Sequence, residues 1–225
     1  MAARVAVYYA PPVGHALAVA GAVWLGRDAD TNAPIVQPVL TDIAAVTEDA
    51  RLYGFHATLK PPMRLADGRG WDDFLCAAEA MTARIAPFDL PVLAVADLQG
   101  FLALRETAPC PALQALADLS VAELDDLRAA PDAAELARRR KSPLHPVQDA
   151  LRERWGYPYV FGEWFFHMTL TRRLNDVERA FWRTKAETFF AAALRVPQRV
   201  TEICLFTQAA PGQPFVIAAR LPLRG

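Results

Sequence analysis

Two short segments of this 225-residue chain carry the same pattern. Phe55-His56-Ala57-Thr58-Leu59 and Phe166-His167-Met168-Thr169-Leu170 both read aromatic-His-x-Thr-Leu, and they lie about half the chain apart. Histidine, with an ordinary pKa of about 6.5, gives or takes a proton near neutral pH. In a strand, successive side chains point to opposite faces, so a histidine and the threonine two residues on share a face. In the first segment His56, Thr58 and Lys60 go one way and Phe55, Ala57 and Leu59 the other. In the second, His167, Thr169 and Thr171 oppose Phe166, Met168 and Leu170. Each strand therefore has an apolar side fit to pack under a helix and a polar side that is costly to bury without partners. Two such faces, in a chain with four histidines, imply a duplicated half-site and a wet cleft between two lobes.

The length suffices for one substantial core or for two small lobes sharing one. A content of 53% hydrophobic and 22% charged residues describes an ordinary globular chain. The net charge of −1 provides no general attraction to nucleic acid or to an anionic membrane. Any polyanion must be captured by local basic groups rather than by the field of the whole protein, which weakens the case for a large nucleic-acid partner. Cys76, Cys110 and Cys204 are odd in number and widely spaced, forming neither a disulfide framework nor a CxxC site. The N-terminus enters strand-like alternation without a signal peptide's apolar region. No apolar run reaches the roughly 18 residues of a membrane helix. The chain reads as cytoplasmic.

Punctuation by proline, glycine and caps gives the element order. Arg4 to Tyr9 reads as a strand ended by Pro11-Pro12, and His15 to Leu25 as a buried helix stopped at Gly26. Thr41 caps a short helix through Val46. Gly54 to Lys60 is the first motif strand, closed by Pro61-Pro62. Trp71 to Ile85 has helical spacing; Phe88 to Val95 and Leu98 to Leu104 read as a strand pair with Gln99 and Gly100 at the turn. Pro111 to Ala129, Asp132 to Lys141 and His145 to Trp155 read as helices, and Glu163 to Arg172 as the second motif strand. Asp176 to Leu194 is a long helix, with Val177, Phe181, Trp182, Phe189 and Phe190 toward its buried side. Arg199 to Phe206 and Phe215 to Leu221 close the chain as strands. Helix, motif strand, helix, strand pair thus occurs twice. The order predicts an α+β protein, a single bilobal duplicated domain over 1–225 with halves of roughly 1–110 and 111–225.

The chemistry that wants two histidines and two hydroxyls in one cleft is displacement at phosphorus. A neutral imidazole takes the proton of the attacking water, and a protonated one delivers a proton to the leaving oxygen. The hydroxyls of Thr58 and Thr169 hydrogen-bond the non-bridging oxygens. No cofactor is required, and the set lacks the third nitrogen, sulfur or carboxylate ligand of a usual zinc site.

The two motifs resemble the paired His-x-Thr signature of the two-histidine (2H) phosphoesterase superfamily, and the resemblance covers nearly the whole chain. Trp24-Leu25-Gly26-Arg27-Asp28, Tyr53 to Pro62 and Trp155-Gly156-Tyr157-Pro158-Tyr159-Val160 are similar to the branch found in phosphonate-utilisation operons. The resemblance implies a bilobal fold with two antiparallel sheets facing a central cleft, helices outside, and strands free to exchange between lobes. It implies that His56 and His167 are the catalytic pair and that Thr58 and Thr169 bind phosphate. It also implies a metal-independent phosphodiesterase, a phosphoric diester hydrolase of the cyclic type. A small cyclic phosphate is the expected substrate, with a ribosyl cyclic phosphate of phosphonate catabolism as the guess. Two alternatives stay open: an RNA-end 2′,3′-cyclic phosphodiesterase or ligase-like enzyme, and a non-catalytic phosphate- or nucleotide-binding regulatory module.

Further substrate contacts are sought on the same faces. Lys60 extends the first polar face toward a phosphate oxygen or ends the strand in solvent. Thr171 holds the matching place in the second, and Arg173 points the same way if the strand continues. Tyr53 stands at the strand's entry, as a cover or as packing. His15 reads as a structural or exposed residue, His145 as a loop or capping residue, and the run Arg138 to Lys141 as a solvated helix end. The aromatic segment 155–160 is a rim, a lid or packing.

Overall fold

The two motif segments fold onto neighbouring strands of one sheet. A computed structural model describes residues 4–131 and 144–225. In chain order the elements are β1 (Arg4–Tyr9), α1 (Ala16–Leu25), α2 (Ile43–Val46), α3 (Glu48–Tyr53) and β2 (Ala57–Met63). Then come α4 (Trp71–Thr82), β3 (Phe88–Asp89), β4 (Leu93–Leu98), β5 (Phe101–Glu106) and α5 (Pro111–Glu123). After them are α6 (Pro146–Trp155), β6 (Met168–Thr169), α7 (Asp176–Leu194), β7 (Arg199–Val200), β8 (Glu202–Gln208) and β9 (Phe215–Pro222). The protein is α+β, with its strands in two antiparallel sheets, one of order β4-β5-β6-β2-β1-β8-β9 and one of β3 and β7. The first half's hairpin β4-β5 pairs with β6, and the second half's hairpin β8-β9 pairs with β1. Strands are thus traded across the middle, where β2 meets β6.

Alternation sorts the large sheet into two faces. Val5, Val7, Tyr9, Ala57, Leu59, Leu102, Leu104, Met168 and Leu170 join the main core beneath α1, α4, α5 and α7. Ala6, Tyr8, Cys204, Phe206 and Phe215 form a smaller cluster on the opposite face, beside His56. Two indoles fasten the motif strands: the buried Trp24 donates through Nε1 to the Leu170 carbonyl at 2.9 Å, and the half-buried Trp164 through Nε1 to that of Thr58 at 2.8 Å. Among the described residues no helix is long and apolar enough to cross a membrane.

Several boundaries differ from the sequence-based expectation, each for a local reason. Strand β2 runs on through Pro61-Pro62, because the pairing shifts between Val5↔Met63 and Val7↔Lys60 and asks no ladder N–H of either proline there. The second motif strand shrinks to Met168–Thr169; Phe161–Glu163 is a 3-10 turn, and the Leu170 and Thr171 amides both donate to the Leu102 carbonyl, which bends the chain away. The segment 88–95 breaks at Pro91, and Phe88–Asp89 pairs instead with Arg199–Val200. Helix α5 ends at Glu123 and passes into a 3-10 turn, Asp125–Leu127. On α7, Val177 and Phe181 face solvent, and Trp182, Ala186, Phe190 and Ala193 form the buried side. The helix expected over 132–141, with the basic run Arg138 to Lys141, lies outside the described residues.

Other signals translate directly. The Gln99-Gly100 turn has positive φ at both residues, 52° and 104°, as a two-residue hairpin requires. His15 caps α1 by accepting the Leu17 amide at 3.1 Å. Inside α1, a Cβ on Gly21 would stand 2.1 Å from the Phe55 ring, so the missing side chain is what lets the first motif pack against the helix. Gly21→Ala should therefore lower unfolding free energy by about 1–3 kcal/mol through overpacking, although helix propensity alone favours alanine by up to about 1 kcal/mol. Urea denaturation measures the sign.

Candidate active site

Pairing of Ala57 with Met168 fixes the site's geometry. In an antiparallel ladder the next residues then face each other, placing His56 opposite Thr169 and Thr58 opposite His167. Directly opposed side chains have Cβ atoms about 4.5–5.5 Å apart and diagonal ones about 7–8 Å at most. The two imidazoles are such a diagonal pair, on the face away from the helices. His56, Thr58, His167 and Thr169 line one cleft of about 510 Å³, together with Tyr53. It continues past Thr58 and His167 into a second arm of about 710 Å³.

Each ring is oriented by its own backbone. His56 Nδ1 donates to the Gly54 carbonyl at 2.9 Å and His167 Nδ1 to that of Phe165 at 3.2 Å. A carbonyl accepts only, so both neutral rings present an Nε2 lone pair to the cleft. The Thr58 hydroxyl donates to His56 Nε2 at 3.3 Å. Gly54 shapes this loop with φ 80° and ψ 176°, a conformation open to glycine, and a Cβ there would meet Ala29 at 2.7 Å. The buried Arg27 guanidinium ties the same loop down, donating to the carbonyls of Arg51, Leu52 and Phe215.

Desolvation dominates the electrostatics. The His56 ring lies 3.9 Å from the buried Tyr8 ring, with Tyr53 and Phe206 each at 6.1 Å. That enclosure pushes its pKa down to about 4; the bond to Gly54 opposes the shift, and the charges of His167 and Arg27 add to it. Enclosure also lowers His167, opposed by its bond to Phe165 and reinforced by Arg105. Both imidazoles are held neutral near pH 7.

Two residues expected on the polar faces lie elsewhere. A bulge between Val7↔Lys60 and Tyr8↔Thr58 turns Lys60 to the helix side. There it is 2% exposed and donates to the Val121 carbonyl at 3.0 Å and to Asp125 Oδ1 at 3.1 Å. Burial lowers its pKa to about 8, against the pull of Asp125. Thr171, 1% exposed, spends its hydroxyl on the Leu102 amide at 2.9 Å. Arg173 does line the second arm, anchored on the Gln99 carbonyl. In segment 155–160, Tyr157 and Tyr159 line both arms, whereas Trp155 packs on Phe161 at 4.9 Å. His145 bonds Glu163 at 3.1 Å.

Sequence reasoning missed Tyr8, Arg4 and Arg105. Tyr8 and Arg4 line the first arm from β1, and Arg105 lines the second from β5. Alternation along β1 puts Arg4 and Tyr8 on one face, but only the pairing of β1 with β2 places that face in the cleft.

Residues 58–216 match a family model described as "Protein of unknown function (DUF1045)". The chain belongs to this family. Two curated relatives, each named ribose 1,5-bisphosphate phosphokinase PhnN, are similar to it. That of Janthinobacterium sp. (strain Marseille) is 39% identical over 99% of this chain and 51% of its own length. That of Laribacter hongkongensis (strain HLHK9) is 37% identical over 94% and 50%. The chain spans about half the length of these relatives. Solved structures with some likeness are E. coli LigT complexed with 3′-AMP (15% identity, all of both chains, TM-score 0.47) and a phosphoesterase (13%, all of both chains, 0.43).

The Asp125 carboxylate is the buried anion behind the site. Besides Lys60 it receives Arg128 through both oxygens, at 2.8 and 3.0 Å, and Arg154 at 3.1 Å. It thereby joins β2, the 3-10 turn and the end of α6, from which Tyr157 enters the cleft. Asp125→Asn, which leaves these cations without their carboxylate, should cost about 3–5 kcal/mol of stability, measured by chemical denaturation.

Proposed function

We propose that this protein is a metal-independent phosphodiesterase that opens a small ribosyl cyclic phosphate to a phosphomonoester. The observation that carries the reading is the pair of imidazoles facing one cleft, each with Nδ1 committed to backbone and Nε2 turned to the cleft, where that of His56 accepts from the Thr58 hydroxyl. His56 Nε2 takes a proton from water as its oxygen attacks phosphorus. The bond from phosphorus to one ribose oxygen breaks, and His167 Nε2–H protonates that oxygen. Thr58, its hydroxyl turned from His56 Nε2 to the bound phosphate, and Thr169 donate to the non-bridging oxygens. The acid and base follow from surroundings: His56, in its aromatic enclosure, is the harder ring to charge, so the bound phosphate's negative charge stabilises a proton on His167. The names of the curated relatives, which specify a ribose bisphosphate, support a ribosyl phosphate as substrate class.

His56→Ala and His167→Ala should each reduce turnover by about 10²- to 10⁴-fold while leaving the melting temperature within a few degrees, and EDTA should change nothing. Full activity in both variants, or inactivation by EDTA, rejects the mechanism.

The free-enzyme profile of kcat/KM follows from the two lowered pKa values. Activity needs His56 neutral, which holds above about pH 4, and His167 protonated, which is lost as pH rises through a value below 6.5. The expected bell therefore lies on the acidic side, with an alkaline limb removed by His167→Ala and an acidic limb removed by His56→Ala. A maximum above about pH 7.5 contradicts the assignment.

A further inference from the structure

We propose that the arm of the cleft beyond His167 is a second anion site, which receives a phosphate monoester borne at the far end of the substrate's sugar. This rests on the reading of the cleft as a cyclic phosphodiesterase site and specifies its substrate. Ladder partners Ala103↔Thr169 and Leu104↔Met168 set Arg105 opposite His167, on the cleft face of β5. Its guanidinium lies over the Phe165 ring, 5.3 Å from the centroid, and that ring is 4.9 Å from the His167 imidazole. The guanidinium is incompletely satisfied: Nε is buried without a hydrogen-bond partner, and the ion pair to Glu106 is long at 3.4 Å. A buried donor left unmade is costly, and an arginine's planar fork suits phosphate. Arg173 adds a second guanidinium to the same arm. The carboxylate facing the arm, Glu163, is already engaged by Gln148 at 2.9 Å and His145 at 3.1 Å.

Spacing fits the assignment. Strand order β5-β6-β2 puts Arg105 two strands from Thr58, about 10 Å across the sheet. A pentose with a cyclic phosphate at one end and a monoester at the other spans that gap.

The test compares kcat/KM on a ribosyl cyclic phosphate with and without a monoester on its distal hydroxymethyl group. The wild-type protein should prefer the doubly phosphorylated sugar by about 10- to 150-fold, and Arg105→Gln should shrink that ratio to within about threefold. Arg105→Lys, a point charge without the fork, should fall between them, which keeps the test usable if the glutamine variant misfolds. No preference in the wild type, a preference that survives Arg105→Gln, or faster cleavage of 2′,3′-cyclic AMP overturns the second site while leaving the hydrolase reading intact. Cleavage of no cyclic phosphate by the wild type overturns the hydrolase reading instead. Calorimetric titration with the same two sugars then decides the site: it stands if the doubly phosphorylated one binds at least about tenfold tighter and Arg105→Gln removes the difference.

Discussion

Antiparallel pairing of Ala57 with Met168 is the constraint on which the site depends. With a side-chain period of two, a slip of either strand by one residue would send its histidine under the helices and its apolar residues into water. That register is held from outside the short β6 strand. Trp24 reaches from α1 to the Leu170 carbonyl, and Trp164 reaches from the 3-10 turn to that of Thr58, one indole for each motif. Gly21 lets Phe55 lie against α1, so the first motif is clamped on both faces. The packing of apolar residues on one side thus sets the distance between proton-transfer groups on the other.

The same surroundings explain why the proposed mechanism has the ligand supply the charge. Desolvation and nearby guanidinium groups both disfavour an imidazolium in the empty cleft. In the proposed reaction a phosphodiester anion would reverse that balance, pairing with the arginines and stabilising a proton on one ring. The protonation state suited to chemistry is then reached when an anion is bound, through coupling of the two events.

The period-two pattern made both histidines, both threonines and their shared face legible before any coordinates, as it did the apolar undersides Ala57-Leu59 and Met168-Leu170. It failed at Lys60 and Thr171, and the two failures have one cause. Alternation assumes an unbroken ladder, whereas a bulge follows Thr58 and the chain bends after Thr169. Lys60, turned inward, had to find Asp125, a carboxylate 65 positions away that no local pattern connects to it. Arg105 was hidden differently. Its own hairpin was readable from Gln99-Gly100, but its neighbour His167 belongs to the other half of the chain, and only exchange of strands brings them together. On α7, spacing alone did not separate Phe181, exposed, from Trp182, buried, since adjacent residues both flank the boundary of the apolar stripe.

A duplicated motif builds two similar half-sites, yet acid–base catalysis needs them to differ. The difference arises from what each half borrows. His56 stacks on Tyr8 of its own half, and strand exchange adds the aromatic face of β8-β9, with no carboxylate among the groups that shift it. The same exchange gives His167 the β5 strand, where Arg105 and Glu106 supply opposing charges and the Phe101 and Phe165 rings lie 6.1 and 4.9 Å away. Two His-x-Thr tripeptides therefore sit in unequal dielectric surroundings, and in the proposed mechanism the strand delivered to each side chooses the ring that carries the proton. On this argument the exchange of hairpins is more than a topological detail: it gives a repeated sequence two unequal surroundings, which the proposed mechanism uses as a base at one end and an acid at the other.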